Sequence, residues 1–308
     1  MSVKLPALWS HASSREAARL GCAEIDLPHL YLGLFLLGGS AARLLGRHGI
    51  TLASARRRVR DVLAVGDTVD LPPLTIRELG EGTWPATPRA EELIAAASKA
   101  PDTFGLLIAL LKEPSATVRR LVGTDGVLPQ SLVPELRQGS DDLYSTERVA
   151  VDDRILAAPA RAHRARIFVA APPSLVAGVL SEPGTLALWA ADPAKSELSD
   201  DGETIRHRRG DRTLTLRYHH KHERTGDIET VTWIAEMLDP PHAGQALLYD
   251  TFTCTPAPGG TELTRTAGRR RFGMAGRLLA PLWDSFANWG MVQGLPGLSF
   301  GIADRQPS

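Results

Sequence analysis

Cysteine is almost missing from this chain: among 308 residues only Cys22 and Cys254 carry a thiol. Neither lies in a CxxC or Cys/His ligand spacing, so a disulfide framework and a zinc knuckle are excluded, and a reducing cytosol is the natural setting. An excess of either charge is missing too. Lys plus Arg is 35 and Asp plus Glu is 35, and the balance holds in each half, so no stripe of the kind that nucleic-acid binding needs is present. The longest apolar run, Leu30 to Leu37, is far short of the roughly 20 residues of a bilayer span. The opening MSVKLPALWSHASSREAARLG has no basic segment followed by an apolar run and a small-residue cleavage site, so a cytoplasmic protein is expected. No GxxxxGK[ST] loop occurs, which excludes a P-loop nucleotide hydrolase. What is present is the composition of a folded protein, 43% hydrophobic and 23% charged, in a chain long enough for two separate cores.

The first half repeats itself. His29 to Leu37 is followed by Ser40 to Leu45 and then Gly49-Ile50; lower down, Gly105 to Leu111 is followed by Thr117 to Val122 and then Gly126-Val127. Such self-similarity marks a structural repeat. Within the first block apolar residues recur at helical spacing: Ala17 and Leu20, then Leu30, Leu32, Leu34 and Leu37, then Leu44 and Leu45, and finally Leu52, Val59 and Leu63. A Pro- and Gly-rich stretch, Asp67 to Pro88, reads as the loop between two helical halves. His29 reads as a cap or core hydrogen-bonder. Arg56 to Arg60 reads as a solvated helix face, with an acidic-partner site as the alternative.

The pattern Ala18-Arg-Leu-Gly21, Pro28 to Leu34, Ala41-Ala-Arg-Leu-Leu45, Gly49-Ile50, and then Thr87-Pro-Arg-Ala90 opening a second copy, resembles the N-terminal double repeat of Clp-type unfoldase chaperones. The resemblance covers residues 1–138 and implies an all-α module that docks a protein or peptide partner. The second copy departs from the pattern, since Gly105 stands where the first has His29 and the turn Lys99 to Thr103 is shorter.

Residues 139–160 read as a polar connection with limited freedom between two domains. Beyond it the period changes to 2. Arg164 to Ala170 reads as a strand and Pro172 to Leu180 as a helix with its prolines in the first turn. Strands over 204–209, 213–219, 229–236, 247–254 and 261–266 follow as a continuous antiparallel meander, with turns at Gly210-Asp211, Thr225-Gly226-Asp227 and Pro258-Gly259-Gly260. Helical spacing returns at Leu278, Leu279, Leu282, Phe286, Trp289 and Val292.

The order strand, helix, meander, long helix, with Pro183 to Trp189 after the first helix and Pro258 to Thr264 before the last strand, resembles the START-like superfamily. That superfamily is also called SRPBCC or polyketide cyclase/dehydratase-like; the likeness covers about residues 161–300, within a domain expected over 161–308. It implies an α+β helix-grip fold, an antiparallel sheet around a long C-terminal helix with a largely apolar cavity between them. The whole chain is thus expected to be multidomain, an all-α Clp-N-like double repeat followed by the helix-grip domain. Trp189, Leu216, Tyr218, His220, Trp233, Phe252, Trp283, Phe286 and Trp289 are the expected lining, and the same residues serve equally as plain core.

Alternation places Leu214, Leu216, Tyr218, His220 and His222 on one strand face. Three residues are candidates for chemistry: His220 as a general acid/base, Tyr218 polarising a carbonyl, and Asp250, which would pair with Arg217 or Arg265. His220 and His222 lack an evident third metal ligand, Cys254 and Ser285 lack a triad, and the segment Arg269 to Gly276 reads as a loop or a mobile collar. No metal and no cofactor is expected. The expected function is a non-ATPase binding protein, its pocket holding an apolar small molecule and its Clp-like module docking a protein or peptide. The alternatives are an aromatase/cyclase- or dehydratase-type enzyme on a polyketide-like substrate, and a decoy competing with a Clp chaperone for its partners.

Overall fold

The computed structural model describes residues 4–66, 69–72, 85–123, 134–135, 145–190, 196–209, 212–270 and 280–307, with backbone only at 209, 212, 280–290 and 293. The turn expected at Gly210-Asp211 lies outside the described residues, as do Leu278, Leu279 and the stretch 271–276 of the expected collar.

Helices fill the N-terminal half. The first block runs through α1 (Leu5–Arg19), α2 (Leu27–Leu37), α3 (Gly39–Arg47) and α4 (Leu52–Leu63); the second through α5 (Pro88–Ala96), α6 (Thr103–Lys112) and α7 (Ala116–Val122). Every residue of α2 is buried, which is why its sequence shows no polar face. Trp9 donates its indole N–H to the Leu30 carbonyl (2.8 Å). Gly33 lies so close to α1 that a Cβ there would sit 2.4 Å from Ser13 Oγ. Among the described residues no single helix is long and apolar enough to cross a membrane.

His29 is a cap: its Nδ1 accepts the Asp26 amide (2.9 Å) at the start of α2. Burial holds its imidazole below the ordinary value, with Asp26 and Glu16 opposing. The folded state therefore binds fewer protons than the unfolded chain. His29's contribution to stability is complete above about pH 6.5 and is lost as pH falls through the depressed value. His29→Gln keeps an acceptor for Asp26 and removes the titration. Urea unfolding over a pH series is expected to show a slope shallower by up to about 1.4 kcal/mol per pH unit below about pH 6.5; an unchanged slope would assign the titration to other histidines.

The second half is one antiparallel sheet of eight strands in the order β1-β2-β8-β7-β6-β5-β4-β3. These are β1 (Thr146–Val149), β2 (Ala160–Val169), β3 (Ser196–Leu198), β4 (Thr204–Arg209), β5 (Arg212–Thr225), β6 (Ile228–Met237), β7 (Ala246–Ala257) and β8 (Gly260–Arg270). Strands β4 to β8 form the expected meander, and β3 adds an unexpected strand at its edge. The first long strand, β2, does not neighbour its successor but lies beside β8 at the far side. Two helices, α8 (Pro173–Ser181) and α9 (Leu186–Trp189), carry the chain across, and α10 (Ala280–Ala303) closes the domain. Several strands outrun the sequence pattern. β5 continues through His219 to Thr225, where polar residues on both faces hide the alternation but the β6 ladder continues.

The connection expected over 139–160 contains structure: β1 pairs with β2, and Leu156 packs with Ala162 and Tyr249 on the outer sheet face. The helical layer and the sheet also share a core. Phe168 and Ala170 from β2 and its end, and Phe300 and Ala303 from α10, belong to the apolar cluster of the helices. Gly38, between α2 and α3, shows how tight the junction is. Its φ is +68°, and a Cβ would lie 2.1 Å from the Phe168 carbonyl oxygen and 2.3 Å from Ser299 Oγ, so only glycine satisfies both the backbone and the space.

The solvated face expected over Arg56 to Arg60 is corrected at Arg56 by the same interface. Arg56 is buried, its guanidinium paired with the buried Glu16 (2.6 and 3.1 Å) and bonded to the Gln306 carbonyl (2.9 Å). Arg58 donates to the Leu121 carbonyl (2.9 Å). The C-terminal residues cover Arg56, whereas Arg57 is exposed and Arg60 half-buried, as a solvated face would have them.

Candidate functional site

Cross-strand register gathers the candidate residues. Tyr218 opposes Ala235, His220 opposes Trp233, Trp233 opposes Asp250, and Phe252 opposes Arg265. Residues opposed in register share a face, so β5 to β8 present all of them to the side on which α8, α9 and α10 lie. Leu216, Tyr218, Trp233 and Phe252 are buried there with Leu295, Leu298 and Ile302 of α10. Trp233 is fixed by α8, its Nε1 donating to the Leu180 carbonyl (2.7 Å).

Trp189, at the end of α9, is the hub of the aromatic wall. Its ring lies 5.1 Å from Phe252, 6.2 Å from Trp233 and 6.4 Å from Tyr218, separations at which aromatic pairs attract beyond their burial. Its Nε1 is buried and finds no acceptor among the described residues. Beneath the wall lies a buried ion pair, Arg265 Nε to Asp250 Oδ1 at 2.7 Å. The guanidinium carbon stands 5.3 Å from the Trp189 ring and 5.6 Å from Phe252, within cation–π range. Of the two partners expected for Asp250, the structure selects Arg265. Arg217 pairs in register with Thr204 and Glu236 on the outer face.

Burial pushes the Asp250 carboxyl up, with Arg265 pulling it back down. Burial also raises the Tyr218 phenol far above its usual value, Asp250 adding to the effect. Tyr218 is thus a hydrogen-bond donor at neutral pH and not a base. His220 is exposed and lies over Trp233, ring centroids 4.4 Å apart. Partial desolvation lowers its pKa, with Glu203 opposing and His222 and His219 adding to the fall. His222 Nε2 binds Glu229 Oε2 at 2.8 Å, and among the described residues no three metal-ligating groups gather. Cys254, its thiol pushed up to about 12 by burial, is unreactive at neutral pH.

Tyr249 belongs elsewhere. It points to the outer face, packs on Leu156 and Ala162, and its hydroxyl accepts the Asp152 amide (3.1 Å). Trp283, Phe286 and Trp289 lie on the first turns of α10, whose side chains are outside the described residues. The sequence reading missed Arg265 as a lining group, although its alternation with Leu263 and Ala267 on β8 was available as a signal. It also stopped the helical spacing at Val292, whereas α10 continues to Ala303 through Pro296.

Helices in the N-terminal half and a large antiparallel sheet closed by a C-terminal helix fit a helix-grip fold. No protein-family model and no curated protein sequence matches the chain. Among solved structures, a STAR-related lipid transfer protein from Xanthomonas axonopodis is similar, at 19% identity and a TM-score of 0.36, over 49% of this chain and 89% of that one. The Zhui aromatase/cyclase from Streptomyces sp. R1128 is similar at 15% identity and a TM-score of 0.34, over 47% of this chain and 95% of that one. A protein from Thermus thermophilus is similar at 15% identity and a TM-score of 0.33, over 45% of this chain and 94% of that one.

Proposed function

We propose that the protein binds an apolar small molecule between the inner sheet face and α10, without turnover. The observation that carries this reading is the polar set inside the aromatic wall: the buried Asp250–Arg265 pair and the unpartnered Trp189 N–H. A buried ion pair is weak as a source of stability, and a buried donor without an acceptor calls for an explanation. A few polar groups set in an apolar, aromatic lining are what a small-molecule site requires. Trp189, Leu216, Tyr218, Trp233 and Phe252 are assigned to its wall, His220 to its margin, and Trp283, Phe286 and Trp289 to its α10 side.

The second reading is an aromatase/cyclase- or dehydratase-type enzyme on a polyketide-like substrate, favoured by the raised Asp250 carboxyl next to Tyr218. Native mass spectrometry of the full-length protein, with mass analysis of what denaturation releases, separates the two. A stoichiometric apolar compound, recovered unchanged and raising Tm when added back, is expected. Recovery of an altered compound would establish turnover instead, and His220→Ala would then lower it without loss of fold.

For residues 1–138 we propose a bracing role ahead of the partner docking that a Clp-like module implies. Its support is that two of the four cations offered for an acidic partner, Arg56 and Arg58, are spent on Glu16 and on the backbone carbonyls of Gln306 and Leu121, which leaves Arg57 exposed and Arg60 half-buried.

A further inference from the structure

We infer that the molecule held in this site carries an uncharged hydrogen-bond acceptor, a carbonyl or ether oxygen on an otherwise apolar body, and that Trp189 Nε1–H is the donor that receives it; the inference rests on the binding reading above. Three observations carry it.

The first is the contrast among the tryptophans whose side chains are described. Trp9 gives its indole N–H to the Leu30 carbonyl (2.8 Å) and Trp233 gives its own to the Leu180 carbonyl (2.7 Å). Trp189 Nε1 is buried as well, yet no described residue accepts from it. A buried donor left without an acceptor forfeits its hydration and gains nothing in return. The indole is also held in place. Phe252 and Tyr218 meet it edge to face, Trp233 lies tilted against it, and the Arg265 guanidinium stands over its ring.

The second is the charge beside that donor. Arg265 is already balanced by Asp250 at 2.7 Å. An anionic ligand would have to be desolvated without a cation of its own, whereas a carbonyl or ether oxygen accepts an N–H with no charge to compensate. Tyr218 keeps its phenol proton at neutral pH, so this part of the wall adds a second uncharged donor.

The third is space on the facing helix. Gly294 lies three residues after Met291 and four before Leu298, both packed in the inner cluster, so helical spacing puts it on their face. A Cβ at Gly294 would meet nothing within 4 Å among the described residues. Two turns further along α10, a Cβ at Gly301 would lie 3.3 Å from Leu188. The helix is therefore closed against α9 at Gly301 and leaves room at Gly294, and Trp189 is the residue that follows Leu188.

The test uses the full chain and two probes of one shape, 2-acetonaphthone and 2-isopropenylnaphthalene, which differ by a carbonyl oxygen in place of a methylene. Affinities are read by equilibrium dialysis. Trp189→Phe removes the N–H and keeps a ring, and the hydrocarbon reports any packing lost with it. The ratio of ketone to hydrocarbon affinity is expected to fall at least about tenfold in W189F; an unchanged ratio would overturn the acceptor inference and leave the apolar site standing. In the parent protein the Trp189 indole proton resonance is expected to move downfield with the ketone and not with the hydrocarbon, and the same shift with both would count equally against the inference. Gly294→Leu fills the space on α10 and is expected to weaken both probes alike, by about tenfold or more. Undiminished binding of both to G294L, or failure of both to bind the parent protein, would overturn the site reading and the inference with it.

Discussion

Asp304→Ala is expected to lower the stability of the protein by roughly 3–5 kcal/mol, the cost of leaving buried charge without its partner. Asp304 sits just beyond α10, buried, with Arg15 Nη2 at 2.8 Å and Arg19 Nη2 at 3.2 Å from its two carboxylate oxygens. Arg19 also donates to the Asp304 carbonyl (2.9 Å). Glu16 and Arg56 extend the network, and Arg56 holds the Gln306 carbonyl. On the other side Arg305 reaches Glu182, at the end of α8, at 2.6 Å. Removing the Asp304 carboxylate leaves two guanidinium groups in a protein interior with one acid, Glu16, which is already occupied by Arg56. Thermal unfolding should show Tm lower by roughly 10 °C, and Asp304→Asn, which keeps the hydrogen-bonding shape, should recover part of the loss. A fall of less than about 1 kcal/mol, the size of an exposed pair's contribution, would show that the network is solvated and that the interface opens.

Excision has the larger effect. A fragment of residues 145–308 is expected to be insoluble or molten, because it would present Phe168, Ala170, Phe300 and Ala303 to water together with an unpaired Asp304. Each large apolar side chain left exposed forfeits about 1.5–3 kcal/mol, and a contiguous apolar patch drives association. Gel filtration, near-ultraviolet circular dichroism and dye binding check this. A monomeric fragment with a cooperative transition and native near-ultraviolet signal would show that the helical layer is dispensable to the sheet domain, and would weaken the bracing role proposed for it.

Much of the candidate site could be read from residue order. Alternation along β5 put Leu216, Tyr218 and His220 on one face, and the isolated acid in an apolar strand marked Asp250, because a period of 2 is local and survives in one strand's own residues. Pairing was less legible. Arg217 and Arg265 were equal partners for Asp250 by sequence, and only register, which is set between strands, separated them. Tyr249 sits beside Asp250 in the chain but turns its ring to the opposite face. The orphaned Trp189 N–H could not be read from sequence at all, since it depends on what α9 meets.

The sequence by itself determined the helical first half, the strand-rich second half and the helix that follows, because each depends on apolar spacing within a dozen neighbouring residues. Tertiary structure alone decided that β2 pairs with β8, that Arg56 is buried and not solvated, and that α10 runs on to Ala303 with its last turns shared between two cores. Those outcomes depend on contacts hundreds of residues apart, such as Arg15 with Asp304 and Leu36 with Ser299. No local pattern encodes them, because the same arginine, serine or glycine serves equally on a surface until a distant segment covers it.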